Sequence, residues 1–350
     1  MIEVDAQNLI QAAAKVGVSD IHVLPKDDTA YRLYFRINGQ LELYQEQTSE
    51  WGKRLISYFK FLANMDVGEK RKPQSGASHY TLDGVKIELR LSTITNVLLM
   101  ESLVIRVIRQ QLKSAVSVQT YFPDDTAVLK QMLRRKSGLV LFSGPVGSGK
   151  TTTIYQLLRE RMAEEAIQVI TMEDPVEIYE SHFLQTEINE SAGITYDVLI
   201  KSSLRHHPDV LMIGEIRDEV TARMVLRGAL TGHLMIATIH AKNSLGVLAR
   251  LQELAITDEQ LKQTLIGVVS QRLVPRFCPK CQGTCQTICD YYPIGKKRAA
   301  ILEILHSQSL QSALVGNLSE FQTGSLNHKL RKAWACGYID EKTYTQFEVV

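Results

Sequence analysis

The chain has 350 residues, enough for two domains, and its 45% apolar content is typical of a folded globular protein rather than a disordered one. Its 40 Lys and Arg nearly balance 38 Asp and Glu, so the formal charge of +2 gives no global reason to expect binding to nucleic acid or acidic lipid. No apolar run approaches the roughly 20 residues that span a bilayer, and the acidic N-terminus lacks a secretory signal. These features predict a cytoplasmic protein.

The first hundred residues predict a small α+β domain. Residues 31–36 and 86–91 alternate apolar and polar side chains, as half-buried strands do. Residues 51–62 between them carry apolar side chains at helical spacing. The sequence Ile-Asn-Gly at residues 37–39 is typical of a hairpin turn.

Further along, the sequence changes to alternating strands and helices. Four apolar runs have the length of buried strands, and they are residues 139–142, 169–172, 210–213 and 234–239. Separated by helical segments, they predict a parallel sheet covered on both faces, that is, an α/β domain. The remainder has four clustered cysteines and a segment that we interpret as helical, including residues 298–305. The predicted units are residues 1–111, a linker at 112–124, then 125–276 and 277–350.

Residues 144–151 form a complete phosphate-binding loop between a predicted strand and a predicted helix over 152–162. Glycines in such a loop let backbone N–H groups face phosphate oxygens, and the helix N-terminus adds a positive dipole. Lys150 would contact the β- and γ-phosphates, and the Thr151 hydroxyl would ligate Mg²⁺. The motif predicts that ATP is bound by Gly144, Pro145, Val146, Gly147, Ser148, Gly149, Lys150, Thr151 and Thr152.

Two further predicted strands end in carboxylates. Glu173 and Asp174 follow residues 169–172, and Glu215 follows residues 210–213. A single acid at a strand end is usually a solvated turn residue, but a phosphate-binding loop in the same sheet favours a catalytic role. We assign Glu173 to positioning the attacking water. We assign Glu215 to the Mg²⁺ shell, provided that its strand neighbours the strand of the phosphate loop.

Residues 204–218 join Leu-Arg-x-x-Pro-Asp to Gly-Glu-Ile-Arg-Asp through four apolar positions. This block resembles the signature of the secretion ATPase superfamily of type II secretion, type IV pili and DNA-uptake pseudopili. Other matching blocks, in the order of the family, are residues 19–22, 63–71, 170–177 and 231–240. The resemblance implies a fold with a small N-terminal α+β domain, a RecA-like ATPase domain and a helical C-terminal region. It also implies a hexameric ring.

The resemblance also assigns roles to individual residues. His240 would sense the γ-phosphate, with His233 supporting the same wall. Arg90 and Arg106 match the N-terminal arginines that neutralise the transition state of phosphoryl transfer. A structural histidine and ordinary surface arginines remain the alternatives for these positions.

The C-terminal part of the resemblance distinguishes between motors. Residues 271–281 have the Gln-Arg-Leu-Val sequence and cysteine pair of assembly motors, and the retraction motif Ala-Ile-Arg-Asn-Leu-Ile-Arg-Glu is absent. The first matching block begins at Ser19, so the chain is most similar to the short competence ATPases of Gram-positive bacteria. This implies a homohexamer at the inner face of the cell membrane, bound to a polytopic platform protein and without direct nucleic-acid contact.

Other functions stay open at this point. A type II secretion or type IV pilus extension ATPase has the same motifs. A nucleic-acid translocase would need a basic, aromatic-rich channel that the sequence does not indicate. A regulatory module that binds ATP with little turnover is a third alternative.

Four of the five cysteines fall within twelve residues, at Cys278, Cys281, Cys285 and Cys289, and Cys336 stands apart. In a reducing cytoplasm such clustering favours metal or free thiols over disulfides. The spacing is compressed relative to the pattern of the family. Zinc and free thiols are therefore both open interpretations.

Overall fold

The computed structural model describes residues 2–37, 39–82, 85–109, 118–286, 289–317 and 324–349. The chain forms two compact units, Met1–Ser114 and Ala115–Val350. In these described ranges, no helix is long and apolar enough to cross a membrane.

The first unit is an antiparallel sheet with two helices. Its elements are α1 (Ile2–Val16), β1 (Asp20–Pro25), β2 (Ala30–Ile37), β3 (Gln40–Thr48), α2 (Ser49–Leu62), β4 (Gln74–Leu82), β5 (Val85–Thr95) and β6 (Glu101–Arg109). The strand order is β3-β2-β1-β6-β5-β4, and apolar side chains of both helices share one core with the sheet. The predicted strands and helix of this region are confirmed. Asn38 of the predicted turn lies outside the described residues, although β2 and β3 pair antiparallel around it.

The second unit contains a seven-stranded sheet with the order β15-β12-β7-β11-β10-β8-β9. The strands of this sheet are β7 (Gly138–Ser143), β8 (Val169–Glu173), β9 (Leu184–Glu187), β10 (Val210–Ile213), β11 (Leu234–Ile239), β12 (Leu265–Pro275) and β15 (Arg298–His306). Two short strands, β13 (Phe277–Cys278) and β14 (Gly283–Thr284), form a separate pair. The helices of the second unit are α3 (Pro123–Leu133), α4 (Lys150–Glu164), α5 (Tyr196–Ser203), α6 (Glu219–Leu230), α7 (Ser244–Glu253), α8 (Asp258–Thr264), α9 (Ser307–Leu314), α10 (Leu326–Ala335) and α11 (Glu341–Phe347).

Both faces of this sheet are buried. Successive residues of β7 alternate between two apolar clusters, with Leu139 and Leu141 in one and Val140 and Phe142 in the other. Strands β12, β7, β11, β10, β8 and β9 run parallel, and β15 pairs antiparallel with β12. The predicted α/β domain is therefore confirmed.

The interpretation of residues 298–305 as helical is wrong, because β15 occupies them. Ala299 to Glu303 are all buried, so this apolar run has no polar face, and helix and strand cannot be distinguished from its periodicity. The sheet of the phosphate loop therefore continues beyond residue 276. Helices α9, α10 and α11 follow β15.

The predicted linker has two parts. Residues 112–117 lie outside the described residues, whereas the segment that follows them packs within the second unit. Thr120 forms a β-bridge with Ala300, and the hydroxyl of the buried Tyr121 donates to Val274 O at 3.1 Å.

We predict that Leu302→Ala destabilises the second unit by about 2–5 kcal/mol, because Leu302 of β15 is fully buried and its truncation leaves a cavity. Urea unfolding should show a lower midpoint for this variant. Leu230→Ala, at a side chain 57% exposed on α6, is the matched control and should leave the midpoint nearly unchanged. Equal midpoints for both variants would contradict the burial of β15.

Candidate active site

The phosphate loop connects β7 to α4 and depends on glycine at several positions. Gly144, Gly147 and Gly149 have φ values of +145°, +75° and +82°, a region that side-chain-bearing residues rarely adopt. Gly149 is the N-cap of α4, so the helix begins at Lys150 and directs its N-terminal N–H groups into the loop. Lys150 Nζ donates to the carbonyl oxygens of Gly144 and Pro145 at 2.9 and 3.3 Å.

Gln271 of β12 supports this loop from below. Its Nε2 donates to Ser148 O at 2.6 Å, and a Cβ added at Gly144 would lie 2.4 Å from Gln271 O. The sequence identified Gln271 only as part of a family motif and missed this contact. The pairing of β12 with β7 creates the contact, and no local pattern predicts that pairing.

The carboxyl ends of the parallel strands form a cavity of about 370 Å³ over the loop. Glu173 is the last residue of β8, Glu215 lies just after β10, and His240 lies just after β11. The other residues that line the cavity are Val146, Gly147, Ser148, Gly149, Lys150, Thr151, Thr152, Asp174, Pro175, Glu177, Tyr196, Met212, Gly214, Arg217, Thr238, Leu273 and Arg298.

The role of Glu215 was expected on the condition that its strand neighbours the strand of the phosphate loop, and the structure does not meet that condition. Strand β10 pairs with β11 and β8, so β11 separates it from the loop strand β7. Glu215 nevertheless lines the same cavity as Lys150 and Thr151. The shared edge of the sheet, rather than direct strand pairing, brings these groups together.

Glu215 is held at both of its oxygens. His240 Nε2 lies 3.1 Å from Oε1, and Arg217 Nε donates to Oε2 at 2.9 Å. Arg217 Nη1 also donates to Asp174 Oδ2 at 2.8 Å, and this hydrogen bond connects the segments that follow β10 and β8. The sequence placed Arg217 in the family signature without assigning it a role in the site.

The two catalytic candidates Glu173 and Glu215 sit in different environments. Glu173 is only 4% exposed, and burial raises its pKa against hydrogen bonds from Tyr155 and Thr171 that lower it. Glu215 instead lies beside the guanidinium of Arg217. The nearby Lys150 is also partly desolvated, which lowers its pKa, while Glu215 and Glu177 act in the opposite direction.

The walls of the cavity fit a nucleotide with Mg²⁺. Magnesium prefers oxygen ligands, and Thr151 and Glu215 provide a hydroxyl and a carboxylate on the same cavity. Gly144 and Pro145 contribute backbone carbonyls to Lys150 rather than lining the cavity itself. Thr152, in the first turn of α4, lines the cavity as well.

The sequence missed two other residues of the cavity. Arg298 begins β15, and burial lowers its pKa with no carboxylate of the described residues offsetting that effect. Tyr196 has a buried hydroxyl without a hydrogen-bond partner in the described part of the chain, and burial raises its pKa to about 12. Both come from segments far along the sequence from the loop, so only the folded sheet brings them to it.

The sequence also singled out His233, Arg90 and Arg106. His233 precedes β11 and therefore lies at the opposite end of that strand from His240, so its expected place on the same wall is wrong. Arg90 and Arg106 face each other on β5 and β6 of the first unit. There Arg90 pairs with Glu88 at 2.9 Å, and Arg106 pairs with Asp20 at 2.9 Å.

We predict that Gly144→Ala weakens nucleotide binding by at least about tenfold, because the new Cβ meets the Gln271 carbonyl in a strained backbone conformation. Titration with a fluorescent ATP analogue measures this effect. Gly295→Ala, at a glycine with no atom within 4 Å of the added Cβ, is the control. Unchanged affinity in a folded Gly144→Ala protein would show that the loop tolerates a side chain.

The chain is similar to known proteins along most of its length. The family described as "Type II/IV secretion system protein" matches residues 1–339. The chain is 37% identical to "Competence protein ComGA" of Bacillus subtilis over 349 residues, which cover 99% of this chain and 98% of that protein. It is 44% identical to "Competence protein ComGA" of Streptococcus pneumoniae over 274 residues, covering 78% and 85% of the two chains.

A solved structure has the same fold. The Legionella pneumophila ATPase DotB superposes with a TM-score of 0.72 over 98% of this chain and 95% of its own, at 17% identity. With the matched family covering both units and a complete phosphate-binding loop at the sheet edge, the chain is an ATPase and belongs to the type II/IV secretion system protein family.

Proposed function

We propose that this protein is an ATP-driven motor that assembles a competence pseudopilus for the uptake of transforming DNA. The observation that carries this proposal is the 37% sequence identity with ComGA of Bacillus subtilis, in an alignment that covers 99% of this chain. The nucleotide cavity alone would serve many P-loop proteins. Similarity that extends through both units favours the same task as well as the same chemistry.

ATP hydrolysis at this cavity would use few groups. Lys150 neutralises charge on the β- and γ-phosphates, and Glu173 orients the attacking water. Thr151 and Glu215 would hold Mg²⁺, which would supply positive charge to offset the charge that develops on the phosphates. His240, whose Nε2 lies 3.1 Å from Glu215 Oε1, would sense the γ-phosphate.

Two parts of the proposal rest on the family resemblance. Arg90 and Arg106 are proposed as further cations for the transition state of phosphoryl transfer. The working form is proposed to be a homohexamer at the inner face of the cell membrane. It would pass its conformational change to a polytopic platform protein rather than to DNA.

We predict that Lys150→Ala reduces ATP hydrolysis by at least about 100-fold, since it removes a cation that contacts the reacting phosphates.

A strain lacking the gene should lose transformation, and a wild-type copy, but not a Lys150→Ala copy, should restore it. Protein secretion and pilus display, scored side by side in that strain, distinguish the alternatives. Normal transformation with impaired secretion or piliation would replace competence with one of those two tasks.

A zinc site at the cysteine cluster is also proposed. The Sγ atoms of Cys278, Cys281, Cys285 and Cys289 all lie within 4.8 Å of one another, and Cys278 and Cys289 are 3.8 Å apart. Four thiolates at about 2.3 Å from one Zn²⁺ would lie at similar separations, so the donor set fits the metal. Zinc there would cross-link the β13–β14 hairpin to the segment that leads into β15.

We predict about one zinc ion per chain in the purified protein, measured by elemental analysis, because four thiolates complete a structural zinc site. Cys278→Ser should lose the metal. Cys336→Ser, which alters an exposed cysteine outside the cluster, should retain it. A folded, zinc-free wild-type protein after purification from zinc-supplemented medium would favour free thiols.

A further inference from the structure

Two hydroxyl groups donate hydrogen bonds to the Glu173 carboxylate. Tyr155 of α4 donates its hydroxyl to Glu173 Oε1, and Thr171 Oγ1 donates to the same oxygen at 2.7 Å. Tyr155 is 1% exposed and lies against Phe183 in an edge-to-face contact with ring centroids 5.0 Å apart. Both hydroxyls engage Oε1, which leaves Oε2 for the cavity that Glu173 lines.

The direction of the Tyr155 hydrogen bond is fixed by Gln185 of β9. Gln185 Oε1 accepts from Glu180 N at 2.8 Å, and this contact assigns the orientation of the amide. The Nε2 group then donates to Ile178 O at 2.8 Å and to the Tyr155 hydroxyl oxygen at 2.9 Å. Since that oxygen already accepts a hydrogen bond, its own proton points to Glu173.

The position of Tyr155 in the chain adds to this argument. It lies on α4, whose N-terminal residues Lys150 and Thr151 belong to the phosphate loop. One helix therefore connects the phosphate-binding groups to the carboxylate at the end of β8, although β11 and β10 separate β8 from the strand of the loop. A shift of Tyr155 relative to Glu173 would change the direction of Oε2 towards the phosphate.

We infer that Tyr155 is a positioning residue for ATP hydrolysis, which orients the Glu173 carboxylate so that Oε2 faces the attacking water. This inference rests on the role proposed for Glu173. Tyr155 does not line the nucleotide cavity, so it acts through Glu173 and not by contact with ATP. Thr171 is the second donor of the same arrangement.

The hydroxyl pair also affects the protonation of Glu173. Burial raises the pKa of Glu173, whereas the hydrogen bonds from Tyr155, Thr171 and Gln185 lower it and Glu177 raises it. Removal of one donor must raise this pKa further. Water activation needs the carboxylate, so the acid limb of the rate profile should move to higher pH. The other titratable groups around the cavity are Lys150, Asp174, Tyr196, Glu215, Arg217, His240 and Arg298.

We predict that Tyr155→Phe lowers kcat for ATP by about tenfold and changes KM by less than about twofold, because it removes orientation and not substrate contact. The acid limb of its kcat–pH profile should move up by about one unit. Thr171→Val should shift the limb in the same direction. Purified full-length protein is assayed by steady-state ATP hydrolysis across pH, with thermal unfolding as a check on folding.

Two controls separate positioning from a general loss of packing. Tyr121→Phe removes another buried tyrosine hydroxyl of the same unit, one that donates to Val274 O, and should leave the kcat–pH profile in place. The double variant Tyr155→Phe/Glu173→Gln should turn over ATP no more slowly than Glu173→Gln alone, because the hydroxyl acts only through the carboxylate.

The outcomes distinguish the inference from the proposed role of Glu173. If Glu173→Gln keeps wild-type turnover, the role of Glu173 fails, and the positioning role of Tyr155 fails with it. If Glu173→Gln is inactive but Tyr155→Phe has the wild-type kcat and acid limb, the inference alone is overturned. A further tenfold loss in the double variant would show a purely structural effect and would overturn it as well.

Discussion

The parallel pairing of β11 with β7 on one side and β10 on the other is the constraint on which the site depends. In the observed register Gly138, Leu234, Val210 and Val169 lie side by side, so the four strands start together. Their carboxyl ends then meet at one edge of the sheet. Apolar clusters on both faces hold this arrangement, and the polar groups are left to the strand ends.

At that edge, two glutamates acquire different properties from their surroundings. Glu173 is buried beneath the loop helix with neutral hydroxyl donors, whereas Glu215 lies between His240 and Arg217. Burial raises the pKa of Glu173, whereas Glu215 forms an ion pair with Arg217 at 2.9 Å. This contrast supports the proposed division into water positioning and metal binding.

Strand β12 connects the nucleotide site to the cysteine cluster. Gln271 of this strand supports the phosphate loop, and β12 is followed directly in the chain by β13, which contains Cys278. Lys297, just before β15, donates to the carbonyls of Gln286 and Cys289 and so ties the cysteine segment to the same part of the sheet. Bound zinc would therefore stiffen the segment that joins two neighbouring strands of the ATPase sheet.

The sequence alone was sufficient for the phosphate loop, the α+β and α/β division and the ATPase family, because each depends on local periodicity or on residues at fixed spacing. Tyr155, Gln271 and Arg298 entered the site only in the folded protein, since strand order and register place them there. The errors at β15 and at His233 have different causes. The buried run of β15 has no polar face by which its periodicity could distinguish a strand from a helix, and a motif does not specify the end of the strand on which each side chain lies.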